Sequence, residues 1–135
     1  MSSVVKFGPF AAAASLAAAP AMSETRMMPD YFVSALVATS AAQALALSCA
    51  ELSVDPVAVV QASEALLGKL EADGFDPNDP SAQMESGEDR LSAVQQAFMD
   101  KHQLEGASGD AVCAAGRAEM SEGTEIGSLL VEVPK

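Results

Sequence analysis

Two cysteines, a single histidine, an arginine set among glycines and a loop of carboxylates are the places where this sequence could do chemistry. Cys49 and Cys113 stand far apart, without the C-x-x-C spacing of a redox pair and without the local ligand cluster of a metal centre. A structural disulfide fits them better, and closing so long a loop is worth about 4 kcal/mol by restricting the unfolded chain. His102 closes a helical stretch near Asp100 and Glu105, where a histidine caps or faces solvent more often than it catalyses. No G-x-S-x-G accompanies it, since Gly106-Ala107-Ser108-Gly109 lacks that spacing, and no G-x-x-x-x-G-K phosphate loop is present. Asp73, Asp76, Asn78 and Asp79 suggest a weak cation site. Counted from Asp76, however, Pro80 falls where an EF-hand loop needs its fifth-position ligand, and no glutamate stands at the twelfth. Caps and turns are the better use of these residues, and neither a metal nor a cofactor is expected.

The composition narrows the partners. The 135 residues carry 19 Asp and Glu against 7 Lys and Arg, for a formal charge of -12. Nucleic acid and anionic membrane surfaces would both be repelled. Half of the residues are hydrophobic but only 4% are aromatic, so the apolar character rests on small side chains, alanine above all. The length suits one domain.

Residues 1–21 read as a cleavable secretory signal. A weakly basic start with Lys6 leads into an uncharged, alanine-rich stretch, and Ala19-Pro20-Ala21 offers small residues at the cleavage positions. Export would put the cysteines where disulfides form. Residues 22–135 are then expected to make one helical domain. Residues 31–50 carry no charge and could be mistaken for a membrane span. Ser34, Thr39, Ser40, Gln43 and Ser48 would need partners in lipid, so a buried helix is the expected form, with no span in the mature chain.

Four segments have helix signatures, and none shows sustained strand alternation. The first covers residues 30–52. The second opens on Asp55 and Pro56 as N-cap and first helical residue, and ends at Gly74. Val59, Val60, Leu66, Leu67 and Leu70 form its apolar stripe, with Phe75 placed to close on Leu70. Asp79-Pro80 repeats the opening signal, predicting a third helix from there to His102, with Gly87 a weak point inside it and Met84, Leu91, Val94 and Phe98 as its stripe. The fourth covers residues 110–121 and stops at Gly123. Residues 126–133 are apolar enough to dock as a short helical turn or an extended tail.

In the fourth segment Cys113, Gly116 and Met120 share one face, so Gly116 would let the disulfide-linked first helix approach closely. Arg117 and Glu119 lie about 200° apart around the helix and cannot pair across one face. Arg117 is placed to fork onto a carboxylate or onto carbonyls at a neighbouring helix end, as a structural clamp more readily than as a ligand site. Gly123 is a helix C-cap and Gly127 a turn or close-contact position.

The run Cys113-Ala-Ala-Gly116-Arg117-Ala-Glu119-Met-Ser-Glu-Gly123-Thr124-Glu-Ile126-Gly127-Ser-Leu129-Leu130 resembles the closing motif of a family of small exported bacterial proteins catalogued as a domain of unknown function, number 5333. Ser48-Cys49 and Gly74-Phe75 extend the likeness. Many members of that family are basic, whereas this chain is acidic. The resemblance implies an α-helical, exported, disulfide-bonded domain and brings no catalytic residue with it.

The sequence therefore leads to an all-α fold, a small bundle of about four helices with one Cys49–Cys113 disulfide. It would be periplasmic or secreted and would act without catalysis by contacting a protein partner in the cell envelope. One alternative is a helical acid-stress chaperone that exposes its apolar faces when carboxylates protonate. Another is a small-ligand binder or enzyme with a pocket near Arg117.

Overall fold

The computed structural model describes residues 25–134. The signal-peptide reading of residues 1–21 lies outside them. Four α-helices run in chain order: α1 (Asp30–Ser48), α2 (Pro56–Ala72), α3 (Glu88–His102) and α4 (Gly109–Glu122). The expected all-α bundle is present, and Cys49 and Cys113 form its disulfide with their Cα atoms 5.2 Å apart.

Helix α1, uncharged after Asp30, is the axis of the fold. It touches α2, α3 and α4, and buries Phe32, Val33, Val37, Ala38, Ala41, Ala42 and Leu45. By length and composition alone it could cross a membrane; in this fold the residues just named are covered by its neighbours, while Leu36, Ser40, Ala44 and Leu47 stay exposed.

The first helix ends earlier than expected, at Ser48 rather than residue 52. Cys49 is extended at its C-cap, and the chain turns there, with the Leu52 amide donating to the Cys49 carbonyl at 3.2 Å. Leu52–Val54 then forms a strand, β1, paired antiparallel with β2 (Leu130–Glu132), Ser53 lying opposite Val131. The apolar tail is thus a 3-10 turn at Gly127–Leu129 followed by β2.

Local signals explain α2 well. The Asp55 carboxylate accepts from the Val57 amide at 2.9 Å and the Ala58 amide at 3.3 Å, and Pro56 occupies a position that needs no N–H. At the other end Gly74 takes a left-handed conformation. The Phe75 amide then donates back to Leu70 and the Gly74 amide to Glu71, which brings the two buried side chains Leu70 and Phe75 together. The expected stripe is narrower than the sequence suggests: Leu70 is buried, but Val60 and Leu67 are exposed. α2 is covered by α1 and the turn at Gly127–Leu129, and Phe75 and Met84 pack on its Leu70.

The start expected for the third helix is wrong by eight residues. Asp79 and Pro80 open a single 3-10 turn, Ser81–Gln83, with the Ala82 amide 3.4 Å from the Asp79 carboxylate. Met84 is then pulled out of helical conformation by a bridge to Arg26, whose amide donates to Gln83 and whose carbonyl accepts from Glu85. Its side chain is buried with Phe32, Leu70 and Phe75 rather than on α3. Gly87, expected inside the helix, is its N-cap.

Two apolar clusters result. One gathers Phe32, Leu70, Phe75 and Met84; the other gathers Ala38, Ala42, Leu45, Ala115, Leu129 and Leu130. Half of the second cluster is alanine. The largest fully buried side chains of the described residues are Leu70, Cys49 and a carboxylate, Glu119.

Candidate functional site

Glu119 is 2% exposed, in the last turn of α4. A buried carboxylate is costly unless hydrogen bonds replace its water, and three donors converge on it. His102 donates through Nε2 at 2.6 Å, Lys101 through Nζ at 2.9 Å, and Thr124 through its hydroxyl. Burial alone would raise the Glu119 pKa. The hydrogen bonds from His102, Thr124 and Lys101 outweigh it and hold the carboxyl below its ordinary range. Lys101 also reaches Glu122 at 2.7 Å, and its hydrogen bonds to Glu122 and Glu119 push its own pKa up.

Backbone geometry delivers these donors. α3 ends with Gln103 left-handed and the Leu104 amide bonded to Met99, which turns Lys101 and His102 onto α4. α4 ends at the left-handed Gly123, so that the Thr124 amide bonds to the Glu119 carbonyl and its hydroxyl reaches the carboxylate. Gly127 then lies flat against α4. A Cβ there would fall on the Glu119 carbonyl and the Met120 amide, which are backbone and cannot move aside. His102 is neither a solvent-facing cap nor paired with Asp100 or Glu105. Its ring is 10% exposed and meets Phe98 edge-on at 5.1 Å. A sequence signal for Glu119 existed: it follows Ala115 by four residues, on the inward face of α4.

Arg117 and Glu119 do not meet. Arg117 donates to Glu51, just beyond α1, and through Nε to Glu132 on β2 at 3.4 Å. The hollow beside it, lined by Glu51, Arg117, Glu132 and Val133, is about 240 Å³ and shallow. The guanidinium is held between two carboxylates, which leaves it poorly placed to recruit an anionic ligand. Gly116 does allow a close approach, but by the strands rather than by the first helix: a Cβ there would strike the Leu52 side chain and touch Leu130 at ordinary contact distance.

The acidic loop is spent on its own backbone. The Asp76 carboxylate accepts from the amide and side chain of Asn78, and Asp79 takes the Ala82 amide. Asp73 accepts from the Tyr31 hydroxyl at 2.5 Å; burial and that carboxylate push the Tyr31 pKa up to about 12. The Arg26 guanidinium donates to the Asp73 carbonyl and lies 3.9 Å over the Phe75 ring. Cys49, Glu51 and Cys113 are close enough to suggest metal ligands, but the two sulfurs are bonded to each other and offer no thiolate.

Among the described residues, an open and mainly apolar feature of the surface is a groove between α1 and α3. It encloses about 370 Å³ and is lined by Leu36, Val37, Ser40, Ala41 and Ala44 on α1 and by Leu91, Gln95, Phe98 and Met99 on α3. The sequence reading did not anticipate it. Its trace in the sequence is the four-residue spacing of Leu36, Ser40 and Ala44 on α1 and of Leu91, Gln95 and Met99 on α3.

No curated protein and no solved structure matches the chain significantly. The family model described as "Family of unknown function (DUF5333)" matches residues 27–131, which take in all four helices, the first strand, the start of the second and the disulfide. The chain belongs to that family.

Proposed function

We propose that this protein is an exported, non-catalytic interaction domain of the cell envelope, periplasmic or secreted, that docks a protein partner on its α1–α3 face. The observation carrying this reading is the open apolar groove, set on a fold whose buried and clustered charges are engaged with one another. The disulfide supports export, because such a bond persists in oxidising compartments.

The test is a photo-crosslinking side chain placed at Gln95 in the groove, and at exposed Gln61 on α2 as control, in the full-length chain made in its native cells. The expected result is a discrete crosslink from Gln95 only, with the chain recovered outside the cytoplasm and carrying no titratable thiol. Cytoplasmic retention with two free thiols, or the same crosslinks from both positions, would overturn it.

The buried Glu119 network favours a second reading, the acid-responsive chaperone. Protonating Glu119 removes the charge that ties α3 to α4, and apolar surface would open there. Dye binding and client protection at about pH 2–3 are the expected signs. An unchanged tertiary signal at that pH dismisses it.

A further inference from the structure

We infer that the occupant of the α1–α3 groove is a basic amphipathic helix of another protein. This rests on the interaction reading above and specifies its partner.

Shape is the first ground. The floor is made of small side chains, Ser40, Ala41 and Ala44, between taller walls, Leu36, Leu91, Phe98 and Met99. A small floor between tall walls receives the ridge of large side chains that a helix presents at i, i+3, i+4 and i+7. The apolar track continues along α1 to Leu47, which is 89% exposed. From Leu36 to Leu47 is about 16 Å at 1.5 Å per residue, three turns of a partner helix. An isolated exposed leucine means little; aligned with Leu36 on the rim of the groove, Leu47 extends one surface.

Charge is the second ground. No basic residue lines the groove. The cations of α3 are engaged within the fold: Arg90 donates to Asp30 and the Met28 carbonyl, and Lys101 to Glu119 and Glu122. Acids mark both ends. Glu88 stands three residues before Leu91 on the same side of α3, and Glu105 shares a hollow with Gln95 and Met99 at the groove's edge. A second copy of this chain, at a formal charge of -12, would be repelled by the same field that attracts Lys and Arg flanking a partner's apolar stripe.

The probe is a synthetic peptide of roughly 18 residues, long enough to hold a helix, with leucines on one face and lysines flanking them. A glutamate-flanked version and a scrambled version of equal composition accompany it. Binding is read by fluorescence anisotropy against the full, oxidised chain. The lysine peptide is expected to bind at least about tenfold more tightly than either control and to weaken as salt is raised. Ala44→Trp, which fills the floor at an exposed position, should weaken it by a similar factor, and so should Glu88→Lys combined with Glu105→Lys. Leu47→Ser, too exposed to affect folding, should weaken it several-fold. Equal binding of the scrambled peptide, indifference to both Ala44→Trp and Leu47→Ser, preference for the glutamate peptide, or self-association abolished by Ala44→Trp would each overturn the inference. A specific crosslink from Gln95 without binding of the lysine peptide removes this inference and leaves the interaction reading standing. Loss of the groove-specific crosslink removes both.

Discussion

Replacing Glu119 by glutamine tests whether the joint between α3 and α4 is electrostatic. The two side chains have nearly the same shape, so packing is preserved and the charge is lost. At neutral pH the carboxylate receives His102 Nε2, Lys101 Nζ and the Thr124 hydroxyl. Glutamine offers one carbonyl oxygen and turns an NH2 group toward the remaining donors. Hydrogen bonds to a charged group contribute about 1.5–3 kcal/mol each against about 1 kcal/mol for neutral ones, so losing charge assistance at this site should cost about 2–3 kcal/mol. For a domain of this size that lowers Tm by about 10 °C. Glu122→Gln is the control. It also removes a partner of Lys101, but from a half-exposed pair, and should change stability by less than about 0.5 kcal/mol. The pH dependence is the sharper readout. The folded pKa of Glu119 is depressed, so its contribution is complete above the ordinary carboxylate value and disappears as pH falls through the lower folded value. Urea unfolding of wild type and Glu119→Gln, with the disulfide intact, should differ fully at pH 6, draw together as pH falls below the ordinary carboxylate value, and meet only below the depressed folded value, where a protonated glutamate resembles glutamine. A glutamine variant as stable as wild type at pH 6, or a difference unchanged down to pH 2, would refute the reasoning.

Two further outcomes follow from the packing. Replacing both cysteines by serine should lower stability by about 4 kcal/mol, read as a shift of the urea midpoint, because the Cys49–Cys113 bridge closes a long loop over a core rich in alanine. Gly127→Ala should cost about 3 kcal/mol or more, since its Cβ meets the α4 backbone, while Gly68→Ala, with open space around it in the middle of α2, should stabilise by about 0.5–1 kcal/mol; thermal unfolding of the two side by side checks both signs.

What could be read from the sequence was what neighbouring residues decide among themselves. α2 was legible because Asp55-Pro56 and Gly74-Phe75 form its two ends through bonds of two to five residues' reach. The same logic misplaced the start of α3. Asp79-Pro80 carries an equally good local signal, but Met84 is taken by Arg26 and the cluster around Leu70, far away in the chain. β1 and β2 are three residues each, too short to show alternation, and exist only because residues 52–54 meet residues 130–132. His102 was misjudged for a related reason. Asp100 and Glu105 are near in sequence, while its partner Glu119 comes from the next helix and was visible only as an inward position on α4. The groove belongs to neither α1 nor α3 alone, so no window along the chain contains it.

The C-terminal run that resembles the family's closing motif is, in three dimensions, a joint. Cys113 fixes α4 to the end of α1. Three residues on, Gly116 admits Leu52 and Leu130 from the two strands. Arg117 ties the chain beyond α1 to β2 through Glu51 and Glu132. Glu119 takes the end of α3, and Gly127 folds the following turn back onto the helix that began the series. Successive turns of one helix thus grip different neighbours, and the side chains that look most chemical in the sequence are the ones the architecture consumes. A density of glycines, cysteine and charge in a short run reads as a site in one dimension, yet each of these residues here answers to a contact inside the fold. The uncommitted groove lies on the opposite kind of sequence: the alanine-rich α1, uncharged after Asp30, and the exposed flank of α3. Function in this fold is therefore to be sought where the sequence is plainest.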